Sequence, residues 1–311
     1  MEMTESKDYD VIVVGDLNAD LVLTGDVVPQ FGQVEKLVDD ATLTLGSSAG
    51  IFACGAAHLG LRTALISKVG DDTFGHFLIT ELKKHNVDTQ GITIDTNVKT
   101  GLTVILNRGT DRAILTHPGS IAEMRLADID FDLLARGRHL HLAAYYLLTG
   151  LMPDVPTLFA QAQRLGLTTS LDTNYDPGET WDGQLCEVLK HTSLVLPNET
   201  ELLGMTHTSM LDEAIKAAES LAPLVVVKCG AQGALAIESG ATITAPSLKM
   251  DVVDTVGAGD AFDSGFLYGY LSRWPLERSL RLACICGSLS TRAAGGTMGQ
   301  ATLEEALHYL D

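Results

Sequence analysis

Glycine never precedes lysine in this sequence, so the P-loop G-x-x-x-x-G-K-[ST] cannot be present. No G-x-G-x-x-G follows the first apolar run, where Asp16 comes directly after Gly15, and a nicotinamide dehydrogenase loses support accordingly. H-E-x-x-H is missing as well. The five cysteines, Cys54, Cys186, Cys229, Cys284 and Cys286, contain no C-x-x-C pair, which argues against a zinc or redox centre. No apolar run reaches the roughly 18–20 residues a membrane span needs. The opening MEMTESKDYD is acidic rather than apolar, so an export signal is not expected. The thiols are then expected to be reduced and the protein cytoplasmic. Positive charge is also scarce: 21 Lys and Arg stand against 40 Asp and Glu, a formal net charge of −19. Such a surface repels nucleic-acid phosphates and anionic lipid alike, which excludes both as partners. A nucleotide could be held only by local devices: helix N-termini, backbone amides, a few cations and a divalent metal.

Hydrophobic residues make up 46% of the 311 positions and charged residues 20%, enough apolar material for a large α/β unit. Val11–Gly15 reads as a buried strand, and from Asp16 onward polar and apolar residues alternate as in a half-exposed strand. VEKLVDDATLTLG alternates likewise and ends at a glycine. SSAGIFACGAAHLGL, small and apolar, predicts a tightly packed helix. TALISKVG predicts a strand, DDTFGHFLITELKKHNV an amphipathic helix, and TGLTVILNRGTDRAILTHP a hairpin around RGTD. Beyond Pro118 strands and helices alternate, with a helix expected across WDGQLCEVLKHT and the last three at 258–272, 275–293 and 301–310. That rhythm implies a three-layer α/β/α sandwich on a mainly parallel sheet, one domain over 1–311. The alternating pieces near 17–45 and 97–118 do not fit its core and are expected to form a small added β-sheet. Ligands in such folds bind outside the carboxyl ends of the strands. That edge collects VGDLNAD, SLDTN, LVLPNET, VVKCG and DTVGAGD.

The most informative stretch is DTVGAGDAFDSGF, residues 254–266. Gly257, Ala258 and Gly259 open a helix without bulky side chains, so their amides can face an anion with the helix dipole behind them. Asp260 follows in the first turn. A carboxylate there could not bind phosphate, but it could take the proton of a hydroxyl attacking one. Phosphoryl transfer needs an oriented nucleophile and stabilised charge on the transferring group, and this segment offers both. Read alone, it is equally a glycine turn with a capping acid. His139 and His141 share a strand face and, without further ligands, read as packing residues.

In its whole length the chain resembles the ribokinase-like carbohydrate kinases, the PfkB family. The resemblance rests on DTVGAGDAFDSGFL, on GDLNAD, on GSSAGIFACGAAHLGLRTALISKVGDDTFG, on LPNETE and on VVKCGAQGA, in that family's order. It implies ATP-dependent phosphorylation of a hydroxyl, usually primary, on a sugar or sugar-like molecule. Asp260 would be the general base and Gly257–Gly259 the anion hole. Asn198 and Glu201 would organise Mg2+ and its waters around the ATP phosphates. Gly230, Gly233, Lys228 and Thr255 would lie on the nucleotide side, and Asp254 where relatives build a monovalent cation site, K+ included. Asn18 and Asp20 would hold acceptor hydroxyls from one strand face. Gly46 and Ser47 match the paired glycines, with serine replacing the second.

Two departures bear on the acceptor. Ile51 stands where the family usually carries an asparagine that bonds the sugar. Ala143 and Ala144 stand near a position that is acidic or polar in some relatives, which leaves Tyr145 or Tyr146 room to stack on a substrate. Both favour a nucleoside kinase of the same superfamily as the alternative; a catalytically inactive nucleotide-binding regulator is a further one. Asp176, where many sugar-acid kinases have arginine, counts against an acidic sugar, although Arg108 and Arg112 of the hairpin could reach one. The unpaired edges of the small sheet suggest a homodimer through it.

Overall fold

The computed structural model of the chain describes residues 7–108 and 111–310. Its first strand, β1 (Val11–Val14), is apolar and buried at every position, as a strand inside a parallel sheet must be. Its side chains alternate between two cores: Ile12 and Val14 enter one, Val11 and Val13 the other. There follow β2 (Asn18–Thr24), β3 (Asp40–Leu45), β4 (Thr63–Gly70), β5 (Asp88–Asp95), β6 (Gly101–Arg108) and β7 (Asp111–His117). The remaining strands are β8 (His139–Leu142), β9 (Thr168–Leu171), β10 (Leu194–Val195), β11 (Leu224–Lys228), β12 (Ala234–Glu238) and β13 (Ala241–Ala245).

Nine of these strands form one sheet in the order β13-β12-β11-β10-β9-β8-β1-β4-β5. All its pairings are parallel except those of β12 with β11 and β13. Helices Ser48–His58, Ala258–Leu271 and Leu276–Ser290 share the core of Val11 and Val13. Helices Val155–Arg164, Leu185–Leu189 and Glu199–Thr206 share that of Ile12 and Val14. Two apolar faces of one sheet are thus covered by two helical layers, the sandwich expected from the alternation.

The other four strands form a separate sheet, β3-β2-β6-β7, with β2 and β6 parallel and the outer strands antiparallel to them. It is drawn from the two alternating segments, but β3 starts only at Asp40. Residues 34–38 alternate in hydropathy yet form no strand, because β2 ends at Thr24, whose partner is Asp40. The RGTD turn falls partly on residues 109–110, outside the described residues, with Arg108 and Asp111 paired on either side. The helix expected over WDGQLCEVLKHT is confined to Leu185–Leu189. Trp181, Gly183 and Gln184 take left-handed φ values of 54°, 76° and 66°, which break the helix before it starts.

Candidate active site

Helix Ala258–Leu271 begins at Gly257, whose φ of 73° favours glycine. A Cβ there would also lie 2.8 Å from both the Gly296 Cα and the Ile51 Cγ2. With no capping side chain, the amides of Gly259 and Asp260 find no acceptor among the described residues and point out of the helix end. Asp260 itself is buried. Burial, then the nearby Asp172 carboxylate, pushes its carboxyl well above the ordinary range, Asp16 adds to this, and Lys228 and the Ser48 hydroxyl oppose it.

Around Asp260 the fold gathers acids that the motifs did not single out. Asp16 follows β1 and accepts the amides of Ser48 (3.3 Å) and Ala49 (3.0 Å), capping the first turn of helix Ser48–His58. Burial pushes it up to about 6. Asp172 follows β9, and Asp263 lies one turn beyond Asp260 on the same helix. The Nζ of Lys228, at the end of β11, is 2.8 Å from Asp172 Oδ2 and 3.1 Å from Asp263 Oδ2. Lys228 is therefore not a solvated strand-end lysine: its ammonium is enclosed by two carboxylates, which push its pKa up.

Asn198 and Glu201 make a reciprocal capping box at helix Glu199–Thr206. Asn198 N and Nδ2 donate to the Glu201 carboxylate at 2.8 and 2.7 Å, and Glu201 N donates to Asn198 Oδ1 at 2.9 Å. As a mere helix start this motif would leave Glu201 facing solvent, yet Glu201 is only 5% exposed. Burial, then Asp172, raises it to about 7. The pair adjoins Lys228 through a backbone bridge between Asn198 and Lys228. Four buried acids (Asp172, Glu201, Asp260 and Asp263) thus converge around one lysine, and Asp16, also buried, joins them through Asp172 and Asp260. Such a deficit of positive charge suits a hydrated divalent cation. No group of three or more His, Cys, Asp or Glu side chains among the described residues is set to hold a metal directly. Held here, Mg2+ would therefore rely on water and ligand oxygens, with Asn198 and Glu201 ordering the waters.

On one side of Gly259 lies a cavity of about 490 Å³ lined by Lys228, Gly230, Gly233, Thr255, Ala258 and Gly259, with apolar walls that include Met250 and Phe262. All four residues expected on the nucleotide side line it. Gly233 has a φ of 100°, and a Cβ there would lie 2.0 Å from Ala245 O, so this turn admits only glycine.

The acceptor candidates stand near Asp16. Asn18 and Asp20 project from one face of β2, both buried, and Asn18 Nδ2 donates to Asp20 Oδ1 at 2.8 Å and to Thr103 Oγ1 at 3.2 Å. Burial, then Asp16, raises Asp20 to about 7. The Asp20 carboxylate fills the space where a Cβ of residue 46 would stand, 2.2 Å away, which is why glycine is needed there. Ser47 caps helix Ser48–His58, its Oγ accepting from Gly50 N at 3.0 Å, but from a strained φ of 75°. Ile51 is buried against Gly257 and Gly296 and braces the glycine turn. Residues 46–50 also spell G-x-S-x-G around Ser48, the spacing of a hydrolase nucleophile. Here Ser48 Oγ accepts from Asn174 Nδ2 at 2.7 Å, and among the described residues no histidine bonds it.

The tyrosines do not reach this site. Ala144 takes a left-handed φ of 58° and opens a short 3-10 turn that directs both rings into the core of the opposite sheet face. Tyr145 is fully buried with its hydroxyl on Gly183 O, and Tyr146 packs edge-on against Trp181. Asp176 is likewise structural: its carboxylate accepts the amides of Gly178, Thr180 and Trp181. His139 and His141 share the Ser170 hydroxyl and are buried, the packing role read for them. Asp254 accepts the amides of Val256 and Gly295, both at 3.0 Å, and Arg112 of β7 approaches it to 4.0 Å. Arg108 is exposed.

A mainly parallel sheet with a small accessory sheet, free amides at a helix mouth and a buried carboxylate beside a cavity form the arrangement of a small-molecule kinase. Residues 8–302 match the pfkB family carbohydrate kinase model, and the chain belongs to that family. It is an ATP-dependent carbohydrate kinase by class. A sugar kinase of Archaeoglobus fulgidus without an assigned acceptor is 31% identical, over 73% of this chain and 90% of its own. The 5-dehydro-2-deoxygluconokinase of Geobacillus kaustophilus is 26% identical, over 99% of this chain and 95% of its own. Among solved structures, an Escherichia coli protein described as a ribokinase II, in complex with ATP and Mg2+, superposes with a TM-score of 0.86. It covers 97% of this chain and 99% of that one at 23% identity, a likeness of fold. No helix among the described residues is long and apolar enough to cross a membrane.

Proposed function

We propose that the chain, as one kinase domain over 1–311, transfers the γ-phosphoryl group of ATP to a primary hydroxyl of a sugar or sugar-like acceptor. The observation that carries this reading is the position of Asp260. It is buried at the mouth of a helix with free amides, next to Ala258 and Gly259 of the cavity wall, and Asp16 acts on both it and Asp20. Asp260 takes the hydroxyl proton, the acceptor oxygen forms its bond to the γ-phosphorus, and the bond to the bridging oxygen of ADP breaks. The amides of the Gly257–Gly259 turn stabilise charge on the transferring group. The carboxyl's raised pKa makes it a stronger base, an effect that Lys228 and the Ser48 hydroxyl temper. Asn18 and Asp20 orient the acceptor, and the small sheet over them keeps water from the γ-phosphoryl. Mg2+, ordered by Asn198 and Glu201, would neutralise phosphate charge. At Asp254, K+ would sit behind the turn, where the carboxylate already ties Val256 to Gly295. ATP as donor points to the cytoplasm as the place of reaction.

Ile51, packed against Gly257 and Gly296, offers no hydrogen bond where a polar side chain would read a hydroxyl, so an acceptor lacking one there fits best. A 2-deoxy sugar acid, the class named for the Geobacillus kaustophilus relative, therefore belongs beside hexoses, pentoses and nucleosides in the acceptor panel. Ile51 equally favours a nucleoside, although that alternative has lost the tyrosines. A homodimer through the small sheet is supported by β7, exposed along its whole length with Ile114 and Leu115 in it. Light scattering at micromolar concentration checks it, and a monomeric mass speaks against it. The reaction itself is tested by ADP release from Mg·ATP across the panel. Turnover with one acceptor class names the substrate; tight ATP binding with no turnover for any acceptor points to a regulator instead.

A further inference from the structure

The contacts of Lys228 set a charge problem that its place beside the nucleotide cavity does not explain. One ammonium lies between two carboxylates, Asp172 Oδ2 at 2.8 Å and Asp263 Oδ2 at 3.1 Å. Both acids are buried, Asp263 completely, and Asp263 Oδ1 has no hydrogen-bond partner among the described residues. A lone lysine neutralises one carboxylate. A second, ionised and wholly enclosed with a bare oxygen, would be strongly destabilising. The three residues also come from separate parts of the fold: the end of β9, the end of β11, and the second turn of helix Ala258–Leu271. Asp263 is three residues after Asp260 and so shares its helix face. The ammonium passes directly beneath the anion-binding turn: a Cβ on Gly259 would lie 3.7 Å from Lys228 Nζ.

We infer that Asp172, Lys228 and Asp263 form a positioning triad of zero net charge, with Asp172 ionised and Asp263 carrying a proton it shares with Asp172. This triad pins the Gly259 turn and the Asp260 helix to the sheet. The two acids shift in opposite directions, in keeping with this: burial drives Asp263 well above the usual range, whereas Lys228 and the hydrogen bond from Asp263 hold Asp172 below it. The residues act through the turn and not on the reacting atoms.

The division of roles makes the two acids unequal, although each touches the same lysine. Asp263→Asn reproduces a protonated carboxyl and leaves the triad neutral. Asp172→Asn removes the charge that pairs the ammonium at 2.8 Å and leaves only the wholly enclosed Asp263, at 3.1 Å, to ionise in its place. The test uses thermal melting of the full chain, and calorimetric binding of Mg·ADP and of Mg·AMPPNP, a non-hydrolysable ATP analogue. Asp263→Asn should keep its Tm within about 2 °C of wild type, while Asp172→Asn falls by about 5 °C or more. Both Asp172→Asn and Lys228→Met should lose at least tenfold in AMPPNP affinity and less than threefold in ADP affinity, because the turn they pin faces the terminal phosphate. Asp263→Asn should change neither by more than threefold. Equal losses for the two acid variants overturn the charge assignment, and an unchanged ratio of AMPPNP to ADP affinity in Lys228→Met overturns the positioning role. The nucleotide arm rests on the proposed kinase reading. If wild type bound neither nucleotide, that reading would fail, and the melting difference between the two acid variants would still decide the triad.

Discussion

Adding one methyl group at Gly46 tests how the acceptor side is built. The backbone there has no left-handed φ, so alanine is free of backbone strain. The obstacle is space: its Cβ would lie 2.2 Å from Asp20 Oδ1, 2.4 Å from Cγ and 2.7 Å from Oδ2. Ordinary contact begins at 3.4 Å, so the carboxylate must retreat by about 1.2 Å. Asp20 is a short side chain, 7% exposed and bonded to Asn18 Nδ2 at 2.8 Å, so it cannot move without losing that bond. A misplacement of about 1 Å in a substrate-orienting group costs on the order of 100-fold, roughly 2.7 kcal/mol of transition-state stabilisation. Overpacking should also cost roughly 1–3 kcal/mol of stability. Gly46→Ala is therefore expected to lower kcat/KM for the acceptor about 100-fold while Mg·ADP affinity stays within threefold. The double variant Gly46→Ala/Asp20→Ala removes the clash and should recover the stability but not the turnover. Steady-state kinetics with melting curves measures both. Undiminished acceptor turnover in Gly46→Ala would show that Asp20 does not orient the acceptor.

Three further outcomes follow from the same geometry. Ser47→Gly relieves a φ of 75° that costs about 1–3 kcal/mol and gives up only a few tenths from the cap, so its Tm should rise by about 2 °C; a fall would refute the strain. Gly257→Ala meets both the positive φ and Gly296, and should slow turnover by about 100-fold or more with the folded state retained by circular dichroism; near-normal turnover would remove the turn from the anion hole. Asp20→Asn separates function from stability. The folded pKa of Asp20 is raised, so its carboxyl holds a proton in the folded chain that the unfolded chain releases, and its contribution falls as pH rises from about 4 through about 7. The asparagine variant lacks that penalty. Its Tm relative to wild type should rise by roughly 4 °C between pH 5 and pH 8, with acceptor turnover lost; a Tm gap that does not grow with pH contradicts the burial argument.

The glycine-rich turn was legible in the sequence because its requirements are local: positive φ at Gly257, close approach at Gly257 and Gly233, and an acid in the first turn. Asn198 and Glu201 were legible for the same reason, since a capping box has fixed spacing, although its spacing does not say that Glu201 is buried. The acids around Asp260 were another matter. Asp16, Asp172 and Asp263 lie on three separate elements, and a strand-end aspartate reads as an ordinary turn residue until the sheet order brings β1, β9 and β11 together. One signal was available: Asp263, three residues beyond Asp260, had to share its face on a helix otherwise apolar and small. The tyrosines misled because a strand pattern that ends at Leu142 does not show the chain reversing at Ala144. The short β3 has a similar cause, as alternation marks what could pair, whereas pairing needs a partner of sufficient length.

The central claim is that Asp260 takes the proton of the attacking hydroxyl, and the most direct measurement compares Asp260→Ala with wild type on the acceptor that the panel selects. Turnover at saturating acceptor is expected to slow by a factor on the order of 100 to 10,000, with Mg·AMPPNP affinity within threefold of wild type. Turnover within tenfold of wild type would contradict the account.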